Sequence, residues 1–374
     1  MLLVVSKSMV HRTRNGRVEA LRLLAIMLIL LNHTLQGDIF PAEAFPVSVA
    51  SSLLARLGGL GDVLFFGITA YYLCQRKGTF RDSLRRSYLL WRELIWYSAG
   101  LFLVTVIVRW AGMGFQAYVT RDFIDLGIKS CMPLASQMWW YPSAYVVFLL
   151  AMPWINRILS FLGRDVHGAV TAVLFVLYSV PVPAPSAQLG WTPLLFVYQY
   201  IVFSWVTWYA KPSRGLLRAL VLASSIVGLV GPFVGGLLGV DVAGSYLNLP
   251  QSLPSMVLGY SLVLLAVDDE TDCGLIVGRL ASSAFAAYLI LTHPSGARVI
   301  SWTMWSLIPL AGGSWVLRLM IEIAHAVLVF ACAVAIDFVR QFVFTHTIDK
   351  RKGHLFDRAW DALMQRFPEL HACE

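Results

Sequence analysis

Ten apolar segments, most of them near the length that crosses a bilayer core, restrict what this chain can fold into. They lie near 17–36, 53–74, 88–110, 134–156, 168–183, 193–210, 216–238, 251–267, 278–296 and 316–343. A hydrocarbon core is crossed by about 20 apolar residues, and within it every backbone N–H and C=O must find a partner inside the segment. That requirement predicts an all-α polytopic membrane protein of about ten transmembrane helices. Composition agrees: 58% of the 374 residues are hydrophobic and 13% charged, about half the charged fraction of a soluble protein.

The net charge of +8 does not mark a nucleic-acid partner, because the basic residues gather beside apolar segments as the positive-inside rule requires. Lys7, Arg12, Arg14 and Arg17 precede the first segment, and Arg76, Lys77, Arg81, Arg85 and Arg86 follow the second. Arg157 and Arg164, then Lys211, Arg214 and Arg218, and finally Lys350, Arg351 and Lys352 follow the fourth, sixth and last. The alternate connections 37–52, 181–192 and 239–250 hold no Lys or Arg, while Arg121, Lys129 and Arg298 break the pattern, as does the acidic run Asp268–Asp272. The bias places both termini in the cytoplasm. Residues 1–16 then form a basic cytoplasmic N-terminus without a signal-peptide cleavage pattern, 17–343 the membrane domain, and 344–374 a cytoplasmic tail. In that tail Leu355, Phe356, Ala359, Trp360, Leu363, Met364 and Phe367 recur at helical spacing, which predicts an amphipathic helix on the inner leaflet. Membrane lipids are therefore partners of the chain.

Trp139, Trp140, Tyr141 and Trp191 fall at predicted outer ends, where aromatic belts form. Cys74, Cys131, Cys273, Cys332 and Cys373 are scattered singly, which argues against a metal site or a disulfide framework.

Arg22 and His33 stand alone in a run that otherwise suits hydrocarbon. Eleven steps of about 100° put both on one helix face, about 16 Å apart along it. Ionisable residues at such depth are costly and point to function by default. For His33 two readings compete: proton transfer near neutral pH, or a packing histidine bonded to a neighbouring span. Arg22 either holds a phosphate or snorkels to the headgroups and pairs with Glu19 one turn earlier. Further polar residues in or near spans are Asp62, Asn156, Gln199, Glu322 and His325. Glu322 and His325, at i and i+3, are expected to pair with each other, and Asn156 to tie a helix end. Gly58-Gly59 and Gly235-Gly236 read as sites of close backbone approach.

The stretch Gly16-Arg-Val-Glu-Ala-Leu-Arg-Leu-Leu-Ala-Ile-Met-Leu-Ile-Leu-Leu-Asn-His33 resembles the opening of the acyltransferase 3 family of bacterial membrane proteins, whose first helix carries an Arg-x10-His spacing. Leu64-Phe-Phe-Gly-Ile-Thr-Ala-Tyr-Tyr-Leu73 is similar to the family's second-helix pattern, with Thr69-Ala70 in place of Ser-Gly. Trp140–Asn156 and Ala284–Pro294 resemble two later family stretches, in order, with Leu291 where relatives often carry a histidine.

This resemblance implies transfer of an acyl group, usually acetyl from acetyl-CoA, to a hydroxyl of a cell-surface carbohydrate or its lipid-linked precursor. The setting it implies is the bacterial cytoplasmic membrane. Carried over by position, Arg22 and His33 take the catalytic pair. Arg22, Arg85, Arg86 and Arg92 become candidates for the donor's phosphates, and Asn32, Tyr71, Trp140 and His293 for substrate contacts; no metal is implied. For Arg85, Arg86 and Arg92, ordinary anchoring at the inner leaflet is an equal reading. The competing function is a transporter or flippase of lipid-linked sugars, which the same composition suits but which an absent internal repeat disfavours.

Overall fold

The computed structural model describes residues 15–35, 57–76, 78–112, 120–179, 192–238, 249–269, 271–272 and 274–367. Lys7, Arg12, Arg14, Lys77, Trp191, Gly239–Asn248, Cys273 and Cys373 lie outside the described residues, as does the whole 37–52 connection.

Thirteen α-helices and no strand make up the described residues, apart from an isolated bridge between Asn15 and Asp272. They are α1 Gly16–Leu35, α2 Gly58–Cys74, α3 Phe80–Trp110, α4 Thr120–Cys131, α5 Trp140–Ser179 and α6 Thr192–Trp205, the last continued by a π turn over Val206–Ala210. There follow α7 Arg214–Leu237, α8 Leu253–Val267, α9 Leu275–Ser282, α10 Ala284–Thr292, α11 Pro294–Leu307, α12 Trp315–His346 and α13 His354–Arg366. Five stretches are long and apolar enough to cross a membrane: Phe80–Trp110, Trp140–Ser179, Arg214–Gly231, Leu275–Thr292 and Val316–His346. Three shorter apolar helices accompany them, Gly58–Cys74, Leu194–Ala210 and Leu253–Val267.

Several element boundaries differ from the sequence reading, each for a local reason. The segments expected at 134–156 and 168–183 are two helical stretches of α5 that meet at Gly163, whose backbone (φ 70°, ψ 179°) is not helical. The expected connection 111–133 contains α4, whose Leu126 and Ser130 face inward while Asp125 and Lys129 pair at 2.6 Å on the outer side. The segment 278–296 is interrupted at Ser283 and ends at His293, where α11 begins. Gly296 permits that last break: a Cβ there would lie 1.8 Å from the Ile290 carbonyl oxygen. α3 opens with a capping box, Thr79 Oγ1 accepting from the Asp82 N–H and Asp82 accepting from the Thr79 N–H, which satisfies two orphan donors of the first turn.

α1 is the axis of the bundle, packed by α2, α8, α9, α10 and α12. Val18, Ala25 and Leu28 join one apolar cluster with α2, α5, α6 and α8. Ile26, Ile29 and Leu30 join another with α3, α10 and α12. Small residues bring α1 and α2 close: a Cβ at Gly61 would meet the Ala25 carbonyl oxygen at 2.7 Å, and one at Gly58 would meet the Asn32 side chain at 2.6 Å. Gly58 thus does what was expected of it; the surroundings of Gly235 and Gly236 lie outside what the structure describes.

Outward faces are apolar, with Leu103, Ile107, Phe161, Leu222 and Phe342 all exposed, as hydrocarbon contact requires. Trp139 departs from the expected belt: it is buried, and its Nε1–H donates to the Leu289 carbonyl at 3.2 Å. Trp140, next to it, stays partly exposed.

One end of the bundle gathers the starts of α1, α3, α7 and α9 with the ends of α2, α8 and α12. Asn15 Nδ2 donates to the carbonyls of Ala266 and Asp269 there, Arg17 pairs with Asp269 at 2.7 Å, and Arg214 pairs with Asp268. Its arginines make it the basic end, and His33 sits at the opposite end of α1.

Candidate functional site

α1 runs unbroken from Arg22 to His33, so the shared face and the separation of about 16 Å hold in the fold. Arg22 Nη1 donates to Glu19 Oε1 at 2.7 Å, with a third of the arginine side chain exposed and the glutamate nearly fully buried. The pair expected from the sequence is therefore formed. Glu19 Oε2 remains buried without a hydrogen-bond partner.

His33 is the contrasting case. It is exposed, and neither ring nitrogen has a hydrogen-bond partner among the described residues. No hydrogen bond to a neighbouring described helix holds the ring. Asn32 beside it is buried against Gly58, so it serves the contact between α1 and α2.

Asp62 is the residue that sequence reasoning named without assigning. It lies one turn into α2, half-buried, with no hydrogen-bond or ion-pair partner among the described residues. The matches of Gly58 with Asn32 and Gly61 with Ile29 put Asp62 about 7 Å below His33 along the bundle axis. Tyr141 of α5 and Tyr288 of α10 lie within electrostatic range of its carboxylate. The Tyr288 hydroxyl is buried without a hydrogen-bond partner. The available signal was an acid alone in an apolar run, the same signal that singled out Arg22 and His33.

From Asp62 an aromatic track leads toward the basic end. Tyr141 lies 6.2 Å from Tyr288 and 6.5 Å from Tyr145 between ring centroids, and Phe196 meets Tyr141 edge-on at 5.0 Å. Trp140 stacks on Phe196 at 6.4 Å. Tyr145 and Tyr200 both lie within electrostatic range of Arg86. Arg86 is half-buried and has no ion-pair partner among the described residues. The Tyr200 hydroxyl donates to Asn156 Oδ1 at 2.6 Å. That bond corrects the expected role of Asn156: the side chain lies inside α5 and ties it to α6.

The other predicted contacts are distributed elsewhere. His293 is buried; its Nδ1 accepts from the Ser295 N–H at 3.2 Å, capping α11, and its ring stands 6.0 Å from that of Trp139. Tyr71 stacks edge-on with Tyr72 near the basic end of α2. Arg92 donates to Asp349 at 2.7 Å, and Arg85 to Asp357 at 3.2 Å and to the Lys352 carbonyl at 2.7 Å. Of the three α3 arginines assigned to phosphates, two thus hold the chain's own carboxylates and Arg86 does not.

Glu322 and His325 have separate partners rather than the expected pairing: Arg318 donates to Glu322 at 3.2 Å, and His325 Nε2 bonds Thr303 at 2.9 Å. Gln199 donates to the Pro250 carbonyl at 3.1 Å. A network unforeseen in the sequence braces α3 against α12. Asp337 accepts from the Tyr97 hydroxyl, Arg340 Nε and Gln341 Nε2, each at 2.6 Å, and Arg340 also pairs with Glu93 at 3.3 Å. Among the described residues no three His, Cys, Asp or Glu side chains converge closely enough to hold a metal ion.

The chain matches no protein-family model, no curated protein and no solved structure.

Proposed function

We propose that this protein is an integral membrane acyltransferase, similar to the acyltransferase 3 family, with about ten spans and both termini in the cytoplasm of a bacterial cell. It moves an acyl group, acetyl in the simplest case, from acyl-CoA to a hydroxyl of a cell-surface carbohydrate or its lipid-linked precursor. The observation that carries this reading is His33: an accessible imidazole on the central helix, with both nitrogens unclaimed among the described residues.

In the proposed reaction His33 takes the proton of the acceptor hydroxyl as its oxygen attacks the thioester carbonyl. The C–S bond then breaks, and the departing CoA sulfur takes that proton from the imidazolium. The products are the O-acyl ester and free CoA thiol. Arg86, unpaired at the basic end of the track, and the exposed part of Arg22 are the cations available to the donor's phosphates. Asp62 and the Tyr288 hydroxyl supply an acceptor and a donor for the hydroxyl-bearing substrate, and Tyr141 and Trp140 supply flat apolar walls.

The test is transfer of label from acetyl-CoA by purified His33→Gln protein in liposomes. Loss of a general base lowers turnover by about 10²–10⁴-fold, and transfer within a factor of a few of the parent protein would overturn the assignment. One observation favours the transporter reading: the unpaired Asp62 and Arg86 lie along a single aromatic track, as polar groups on a substrate path do. Movement of a lipid-linked sugar across liposomes without acyl transfer would select that reading.

A further inference from the structure

The chain after α12 places carboxylates on α3 at the basic end. Asp349 takes Arg92, whose side chain is only 9% exposed, at 2.7 Å. Asp357 takes Arg85 at 3.2 Å and stands 3.6 Å from Arg81, and Asp361 also stands 3.6 Å from Arg81. The turn that opens α13 fits closely over Arg85. Gly353 has φ 81°, a Cβ there would lie 2.5 Å from Arg85 Nη2, and the Lys352 carbonyl accepts from that same nitrogen. Phe356 leans on Tyr88 at 5.8 Å.

These contacts differ in kind. Arg92 and Asp349 are largely out of solvent, so separating them exposes a buried charge to loss of its partner. The pairs at Arg81 and Arg85 are open to solvent on both sides (34–64% exposed), and such pairs exchange partners at little cost. Asp349 is therefore a fixed hinge, and the ion pairs that hold α13 beyond it are the exchangeable ones. Arg86, adjacent in sequence to Arg85, has no ion-pair partner among the described residues.

We propose that α13 is a displaceable strap whose carboxylates hold the place of phosphates on Arg81 and Arg85. A ligand carrying a diphosphate or several phosphates, engaging Arg86 first, takes Arg85 and Arg81 from Asp357 and Asp361 and frees the helix. The Arg92–Asp349 hinge keeps the strap tethered, so it returns when the ligand leaves. This inference rests on the phosphate-binding part of the proposed function. The same chemistry is offered by a soluble nucleotide-type donor and by anionic lipid headgroups.

The test is hydrogen–deuterium exchange of the 354–366 amides in the full-length protein in phosphatidylcholine nanodiscs. Saturating CoA speeds exchange of this helix about tenfold, while the Asp357→Asn/Asp361→Asn protein exchanges that fast without ligand and gains nothing from CoA. The amides of α12 stay unchanged in both. A third arm replaces part of the phosphatidylcholine with phosphatidylglycerol and omits CoA. Acceleration there and not with CoA supports the strap, assigns the phosphate to lipid, and counts against the acyl-CoA donor. Acceleration with CoA alone supports the strap and the soluble donor. Exchange that neither CoA nor phosphatidylglycerol alters, or a double variant as protected as the parent, overturns the strap, while the His33 transfer assay judges the reaction independently.

Discussion

Replacing Gly61 by alanine measures how tightly α2 holds the helix that carries His33. The new Cβ would stand 2.7 Å from the Ala25 carbonyl oxygen and 2.8 Å from Ile29 Cγ1, against an ordinary contact of 3.4 Å or more. Ile29 can rotate, but the carbonyl belongs to the backbone of α1, so the two helices must separate by about 0.7 Å, the shortfall between those distances. Overpacking of this kind costs about 1–3 kcal/mol. Alanine recovers about 1 kcal/mol through helix propensity, which leaves a net loss of about 0–2 kcal/mol. Gly100 supplies the control: it lies inside α3 with nothing within 4 Å of its Cβ position, so Gly100→Ala keeps the propensity gain and adds no strain. The difference between the two variants isolates the strain, about 1–3 kcal/mol. The assay is the rate of irreversible unfolding of each purified protein in the same micelle at one temperature, because large membrane proteins report stability as a rate. If the strain falls wholly on the unfolding barrier, Gly61→Ala unfolds about 5- to 150-fold faster than Gly100→Ala. Equal rates, or a slower Gly61→Ala, would refute the close approach of α1 and α2.

Three further outcomes follow from particular contacts. Asp337→Ala removes the acceptor of the Tyr97 hydroxyl while Arg340 keeps Glu93 and Gln341 keeps Ser282 and Ser283, so it should cost about 1.5–3 kcal/mol, and Tyr97→Phe about 1 kcal/mol; a double-mutant cycle with no coupling would contradict the shared bond. Gly296→Ala drives a Cβ to 1.8 Å from the Ile290 carbonyl oxygen, so monodisperse protein should be lost on size exclusion, and a normal yield would disprove the tight break. Asp62→Asn replaces the carboxyl by an amide of the same shape, and a lost hydrogen bond of about 0.5–1.5 kcal/mol raises the acceptor KM about 2- to 13-fold with the donor KM unchanged; unchanged acceptor kinetics would take Asp62 out of the site.

Much of the fold was legible in the sequence. Long apolar runs become helices because hydrocarbon offers the backbone no other partner, and α1, α2, α7, α8 and α12 follow their predicted segments closely. The boundaries that failed were those set by backbone geometry rather than by hydrophobicity. No apolar count marks the break at His293 as one that only Gly296 can pass. Trp139 reads as an interfacial ring from its place at a predicted outer end; the Leu289 carbonyl that claims its N–H lies 150 positions away.

The site divides in the same way. Arg22 and His33 share a face because both lie on one unbroken helix, and helical periodicity is a property of the chain alone. Asp62 carries the same local signal, a charge where hydrocarbon is expected. Which charges stay unpaired is a different kind of fact. Arg85, Arg86 and Arg92 are equivalent in sequence, all basic and all near the start of α3. Arg92 and Arg85 are neutralised by Asp349 and Asp357, which lie 257 and 272 positions away along the chain. Arg86 differs only in turning toward Tyr145 and Tyr200. The chain therefore specifies helices and the faces on which charges lie, because those depend on neighbours within a few residues. The free or occupied state of each charge was settled by the packing of α13 and α12 on α3, since Coulomb and hydrogen-bond energies depend on distance in space.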